Sequence, residues 1–415
     1  MRSATSFPPL LAAALLASSA ACSSADTEQS DPLAGLTVVG DDPTDVPLRG
    51  SSRELTDRFL VGDALFDAVF RDPDGLGPLY IRTACASCHE SAGRGPGAVQ
   101  KVAIVEEDGV TPAADQSSLG YGHTIRPYTA GGATTPITAP EGKGIKLTQR
   151  LGPAVFGRGY MEAVDDAEIE RVEAEQSVRD DDIRGRIHRV TYASKENAGQ
   201  PYHTYQEGQG GLVGKFGMKA RIATLDEFTA DAAQGDMGIT SPMRPEELAN
   251  PDGLGDDAKA GVDIDMDTVN AMADYMRLLE IPARRPASPR AAALFEEVKC
   301  AVCHVPSLKT RADYPIQALA GVDAPVFTDF LLHEMGEWLA DGLNDGAATS
   351  GAWKTAPLIG LRHFSGYLHD GRAKTIEQAV LAHENPGSEA NGSIKLFKSL
   401  SAEDRAALLD FVEGL

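Results

Sequence analysis

Apolar residues recur at helical spacing in two separate stretches of the chain. Over residues 268–279, Val269, Met272, Met276 and Leu279 fall on one face; over 405–415, Leu408, Phe411 and Leu415 do the same. Each predicted helix has a shorter counterpart upstream. Gly62-Asp63-Ala64-Leu65-Phe66-Asp67-Ala68-Val69-Phe70 and Arg290-Ala291-Ala292-Ala293-Leu294-Phe295-Glu296-Glu297-Val298-Lys299 both read as helices with an Ala-Leu-Phe core. Between 95 and 260 Gly and Pro break the periodicity, leaving one acidic helix predicted near 163–178 and short runs such as 211–220. The linker Pro-Ala-Arg-Arg-Pro-Ala-Ser-Pro at 282–289 divides two modules, 51–283 and 284–415, the first enlarged by an insertion over 95–260.

Downstream of each of these helices stands a C-x-x-C-H pentad, Cys85-Ala86-Ser87-Cys88-His89 and Cys300-Ala301-Val302-Cys303-His304, the two using four of the five cysteines. C-x-x-C-H is the attachment string of c-type haem: two thiols add across the vinyl groups and the histidine becomes an axial iron ligand. A four-cysteine zinc site would bring its pairs within about 15–20 residues of each other, unlike Cys88 and Cys300. A thioredoxin-like dithiol has no use for the following histidine. The predicted fold is therefore mainly α, with two class I cytochrome c-like domains in tandem, each packing its first and last helices over a haem.

The 415 residues carry 38 basic and 61 acidic side chains, a net charge of −23, which disfavours nucleic acid and suits a basic redox partner. The 42 Gly and 25 Pro fit long irregular connections. Residues 1–21 read as an export signal: Arg2, the apolar run Leu10-Leu11-Ala12-Ala13-Ala14-Leu15-Leu16-Ala17, too short to anchor in a bilayer, then small residues before Cys22. Ser19-Ala20-Ala21-Cys22 resembles a bacterial lipobox, departing from it at Ser19 where Leu is usual. The alternatives are lipidation of Cys22 and ordinary cleavage. Residues 22–50 read as a solvated tether. The expected location is the periplasm, with a lipid anchor to the outer membrane if Cys22 is modified and no other membrane contact.

From about residue 60 onward the chain resembles the bacterial di-haem oxidoreductase family, whose members carry peroxidase or thiol-oxidoreductase labels and which is related to di-haem cytochrome c peroxidases. The first module carries the resemblance in Gly75-Leu76-Gly77-Pro78-Leu79, Gly93-Arg94-Gly95-Pro96, the run from Arg150-Leu151-Gly152-Pro153 to Gly159-Tyr160-Met161-Glu162-Ala163, Gly214-Lys215-Phe216-Gly217-Met218-Lys219-Ala220 and Gly235-Asp236-Met237-Gly238-Ile239-Thr240. In the second it rests on Leu331-Leu332-His333-Glu334-Met335-Gly336, Trp353-Lys354-Thr355-Ala356-Pro357-Leu358 and Tyr367-Leu368-His369-Asp370-Gly371-Arg372-Ala373-Lys374-Thr375-Ile376-Glu377.

The resemblance implies two covalent haems, and it admits calcium. In the wider superfamily the distal ligand of the second haem follows the His-Asp-Gly string by about a dozen residues, which falls on His383. A histidine there can equally cap the preceding helix against its C-terminal dipole. Met335, His333 and His363 are the other candidates, while His369 is expected to pair with Asp370 or a propionate. For the first haem, Met161, Met218, Met237, His123, His188 and His203 are open candidates, but related enzymes leave that face free for substrate. Glu162 resembles the distal acid/base glutamate of the peroxidases; the alternative is a helix N-terminal charge interaction. Arg150 would stabilise a developing anion or a propionate.

Those relatives place a tryptophan between the haems from the first module, whereas Trp338 and Trp353 both belong to the second. The activity implied is reduction of peroxide at the N-terminal haem with electrons relayed by the C-terminal haem from a basic donor protein. The alternative is a di-haem electron-transfer cytochrome linked to iron acquisition, since family members are often encoded beside imelysin-type proteins. Thiol–disulfide exchange conflicts with the chemistry, because thioether formation would consume all four pentad thiols.

Overall fold

A computed structural model describes residues 46–89, 99–197 and 199–415. The predicted export signal, Cys22, most of the tether and the Gly93-Arg94-Gly95-Pro96 string lie outside the described residues. Among those described, ten α-helices outweigh five short two-stranded antiparallel ladders. No helix among them is long and apolar enough to cross a membrane.

The helices predicted from periodicity form and pair. Helix α1 (Arg53–Phe66) packs on α5 (Met266–Leu278). The two can cross closely because Gly62 has no side chain: a Cβ there would lie 2.2 Å from the Ala271 carbonyl oxygen. Phe59 and Phe66 then stack against Tyr275, with ring centroids 5.2 and 4.9 Å apart. Helix α6 (Pro289–Glu297) packs in the same way on α10 (Ala402–Gly414), burying Leu294, Phe295, Leu408 and Val412. Side-chain caps set the starts: Ser52, Asp265, Ser288 and Ser401 each accept a backbone N–H from the first turn. Helix α1 begins well before the predicted Gly62 and ends at Phe66 rather than Phe70, because Ser52 caps it and Gly62 serves the crossing instead of opening the helix.

The acidic helix also forms, as α3 (Asp166–Ser177) with Asp165 as its cap. The 95–260 region is more ordered than its Gly and Pro content suggests. It adds α2 (Arg158–Ala163), α4 (Leu225–Ala232) and a six-residue antiparallel ladder, Val99–Ile104 against Ile145–Arg150. The π-turn Ala233–Met237 follows α4.

Short helices complete the second half: α7 (Cys300–Cys303), α8 (Ile376–Leu381) and α9 (Asn391–Ser399). The predicted boundary at 283/284 is heavily bridged, and Val38–Leu415 forms one compact unit. Bridges pair Val164 with Thr310 and Arg186 with Leu332, and one apolar core mixes Phe156, Val164 and Phe216 with Leu319, Phe330 and Ile359.

Candidate redox site

Both pentads fold into the same tight turn. The His89 N–H donates to the Cys85 carbonyl at 3.0 Å, and the His304 N–H to the Cys300 carbonyl at 2.9 Å. None of the four cysteines is joined in a disulfide. Burial pushes the Cys85 thiol up to about 12 and Cys88 to about 11, Asp236 adding to both, and burial likewise pushes Cys300 to about 12.

The second pentad opens onto a cavity of about 300 Å³, whose wall includes Cys300, Cys303, His304 and His383 among aromatic and aliphatic groups such as Phe156, Phe216, Phe295 and Ile394. The His304 Nδ1–H donates to the Phe327 carbonyl (3.2 Å) and the His383 Nδ1–H to Ala379 (2.7 Å), which leaves each Nε2 for the cavity. Burial holds both rings neutral: His304 is pushed down to about 4, with His383 opposing its charge, and His383 is lowered too. Two neutral imidazoles with Nδ1 committed to carbonyls, beside two cysteines in an apolar chamber, fit a haem. The Ala379 carbonyl belongs to α8, so His383 also bonds the end of its own helix, as a neutral ring rather than as a charge on the dipole.

The other candidates for that iron fare differently. Met335 lines the cavity. His333 also reaches it, but its Nδ1 faces Glu389 at 2.7 Å and its Nε2 faces Asp329 at 2.9 Å, so both nitrogens are engaged by carboxylates. Burial disfavours charge on His333, yet Cys303 and Asp329 outweigh it and raise the ring well above the ordinary histidine range. His363 ends a 3-10 turn, Leu361–His363. His369 lies 3.9 Å from Asp370 and stacks on Trp353, centroids 4.0 Å apart and planes 14° from parallel.

Contacts lead from that stack towards both pentads. The His369 carbonyl accepts the Leu151 N–H at 2.9 Å, and the next residue, Gly152, abuts His89: a Cβ there would come within 2.9 Å of the imidazole Cε1. Only glycine leaves that space beside the ring. On the other side Trp353 lines the cavity and stands opposite His333 in the ladder Leu332–Glu334 with Ala352–Lys354. Lys219 Nζ sits 4.1 Å above the indole and the Arg150 guanidinium 5.6 Å away. Arg150 is ion-paired with the buried Asp341.

Glu162 is buried inside an ion-pair network and is not part of the cavity wall. Its carboxylate accepts from Arg277 Nε (2.6 Å) and Nη2 (3.1 Å), the Leu225 N–H (2.8 Å) and the Tyr314 hydroxyl (2.8 Å). Arg277 also reaches Asp274 (3.2 Å) and Asp226 (3.5 Å), and Asp226 meets His203 at 3.0 Å. Burial alone would push Glu162 up, but Arg277 outweighs it and keeps the carboxyl below its usual range. Of the six ligand candidates for the first haem, Met218 lines the cavity of the second pentad. His203 belongs to the network, and His188 is held by the Lys219 carbonyl (2.6 Å) and the Ala347 N–H (3.3 Å). His123 bonds the Val102 carbonyl (3.0 Å), while Met161 and Met237 are buried in apolar cores. Lys215, Phe216, Gly217 and Phe228 join Met218 on that wall, so the insertion helps enclose the second site.

One residue at the first pentad has no role in the sequence reading. Asp236, on the π-turn, faces both Cys85 and Cys88 electrostatically, and its carboxylate makes no hydrogen bond among the described residues. Its side chain is partly accessible. Burial raises its pKa against the pull of Lys101, Arg126 and Arg221. The signal lay inside the Gly235-Asp236-Met237-Gly238 string, and π-turns of this kind often occur at functional positions.

The family model described as "Di-haem oxidoreductase, putative peroxidase" matches residues 140–415. No curated protein matches the sequence. Among solved structures, the chain is similar at 14% identity to hydrazine synthase of Kuenenia stuttgartiensis (89% of this chain, 90% of that one, TM-score 0.37). It has the same identity to the diheme peroxidase BthA of Burkholderia thailandensis (89% and 90%, TM-score 0.39). A MauG-like protein associated with microbial copper homeostasis is also similar at 14% (89% and 92%, TM-score 0.39).

Proposed function

Since the chain belongs to the di-haem oxidoreductase family, we propose that it is an exported c-type peroxidase with two unequal haem sites, one in each cytochrome c-like helix pair. Cys85, Cys88 and His89 would hold the first haem; Cys300, Cys303 and His304 would hold the second, together with His383. Bound there, haem supplies the redox-active iron at each site. The observation that carries this reading is the asymmetry of the two sites. His304 shares its cavity with a second neutral imidazole, whereas the first pentad has beside it a carboxylate without a hydrogen-bond partner among the described residues.

Cleaving a peroxide O–O bond requires a group that takes the proton from one oxygen and returns it to the other. Asp236 suits that role, because burial raises its pKa above that of an ordinary aspartate and no bond among the described residues ties up its oxygens. Glu162 is a positioning residue, fixing Arg277 and with it the α2–α5 contact. The Trp353–His369 stack is the aromatic pair that would link the two sites. Electrons enter from a basic donor protein drawn by the −23 charge, in the periplasm.

Asp236→Asn keeps the shape of the side chain and removes its proton transfer. Stopped-flow mixing with hydrogen peroxide should show the reaction slowed by about 10²–10⁴-fold with both haems still attached. An Asp236→Asn protein reacting at the wild-type rate removes Asp236 from the mechanism.

A further inference from the structure

We propose that Trp338 and the open cleft beside it form a second oxidation site, where a small phenol or hydroquinone delivers electrons to the second pentad's cavity through Trp353. The inference rests on the peroxidase reading above. It starts from the placement of the chain's two tryptophans. Trp353 is buried on the cavity wall, and its Nε1–H donates to the Leu339 carbonyl at 2.9 Å. Trp338 immediately precedes Leu339 and is 63% exposed, unusual for a side chain that normally hides most of its ring. One hydrogen bond and one stretch of backbone therefore join a surface indole to an indole on the haem cavity.

The cleft next to Trp338 has a volume of about 520 Å³, within the range of small-molecule sites. Its rim carries Lys146, Glu337, Asp370 and Arg372. Arg372 is fixed by the Trp338 carbonyl (2.7 Å) and Asp370 (2.5 Å), and Lys146 by the carbonyls of Gly109 (2.9 Å) and Ala340 (2.8 Å). Glu337 is exposed, and its carboxylate has no hydrogen-bond partner among the described residues. An exposed indole face selects a flat ring, and pinned cations beside a free carboxylate select a hydroxyl that must lose a proton. The volume accommodates a single-ring compound of that kind.

The surroundings also set the direction. Lys219, 4.1 Å above Trp353, makes an electron harder to withdraw from that indole than from solvated Trp338. An electron deficit reaching Trp353 moves outward. Each phenol O–H gives one electron to Trp338 and its proton to Glu337 or water. Two such events supply the two electrons, and with them two protons, that cleave H₂O₂ to two waters, leaving two phenoxyl radicals.

The test uses the holoprotein, wild type and Trp338→Phe, with hydrogen peroxide as oxidant and either hydroquinone or a reduced basic cytochrome c as donor. Trp338→Phe should lower kcat/KM for hydroquinone at least tenfold and leave peroxide reduction by the cytochrome unchanged. Saturation-transfer NMR without peroxide should detect hydroquinone on the resting wild type and lose the signal in Trp338→Ala/Glu337→Ala. Unchanged hydroquinone oxidation in Trp338→Phe, or no saturation transfer to the wild type, overturns this proposal and leaves the peroxidase reading standing. A wild type that reduces no peroxide with either donor overturns both.

Discussion

Replacing Glu162 with Gln tests whether this carboxylate holds the fold or handles protons. Glu162 accepts two donors at each oxygen: Arg277 Nε and the Tyr314 hydroxyl at Oε2, Arg277 Nη2 and the Leu225 N–H at Oε1. Whichever way a glutamine amide turns, its NH₂ group meets two of those donors, one of them Arg277. Two bonds are lost, at least one of them charge-assisted, at about 1.5–3 kcal/mol for each bond to a charged group. Arg277 is left to share Asp274 with Arg58 and Asp226 with His203. Both routes lead to about 3–5 kcal/mol, the usual cost of breaking a buried ion pair from one side. In a chain of this size that lowers the melting temperature by roughly 3–6 °C, measurable by circular dichroism on the holoprotein.

The pH dependence has a definite sign. The Glu162 pKa is depressed in the fold, so its stabilisation is fully present above the unfolded glutamate value of about 4.3 and is lost as pH falls through the folded value. The gap between wild type and Glu162→Gln should therefore narrow in acid. A variant within about 1 kcal/mol of wild type, or one that folds normally but no longer reduces peroxide, refutes the positioning role and returns Glu162 to acid/base catalysis.

Two further outcomes follow from the cavity wall. His383→Ala removes the imidazole facing His304 and should convert the second haem from low to high spin in the optical spectrum, while leaving two haems per chain by mass. Trp353→Phe keeps an aromatic ring on His369 but loses the Nε1–H bond to Leu339. Electron transfer between the haems, followed by stopped-flow after half-reduction, should slow at least several-fold with both iron spin states unchanged.

The pentads and paired helices were legible because their signals are local. Covalent attachment demands a contiguous string, and the α1–α5 and α6–α10 pairs each bury a face that repeats every turn. Helix starts were less legible, since one serine such as Ser52 fixes them. The place of His383 on the cavity wall beside His304 could be reached through its spacing from the His-Asp-Gly string, because α8 is the only element between them. The Glu162–Arg277 pair could not: its members are 115 residues apart, and the glutamate's neighbours in sequence suggest only a helix. Asp236 and the Trp353–His369 stack likewise acquire meaning only once distant loops meet. Gly- and Pro-rich sequence also concealed the ladder Val99–Ile104 with Ile145–Arg150, and the contribution of residues 215–218 to the wall of the second site.

The central claim is that the two haem sites are unequal, and electron paramagnetic resonance of the oxidised holoprotein tests it most directly. One high-spin iron beside one low-spin iron, the high-spin signal changing when peroxide meets the half-reduced protein, is the predicted result. Two low-spin irons, indifferent to peroxide, would contradict it and identify the chain as an electron-transfer cytochrome.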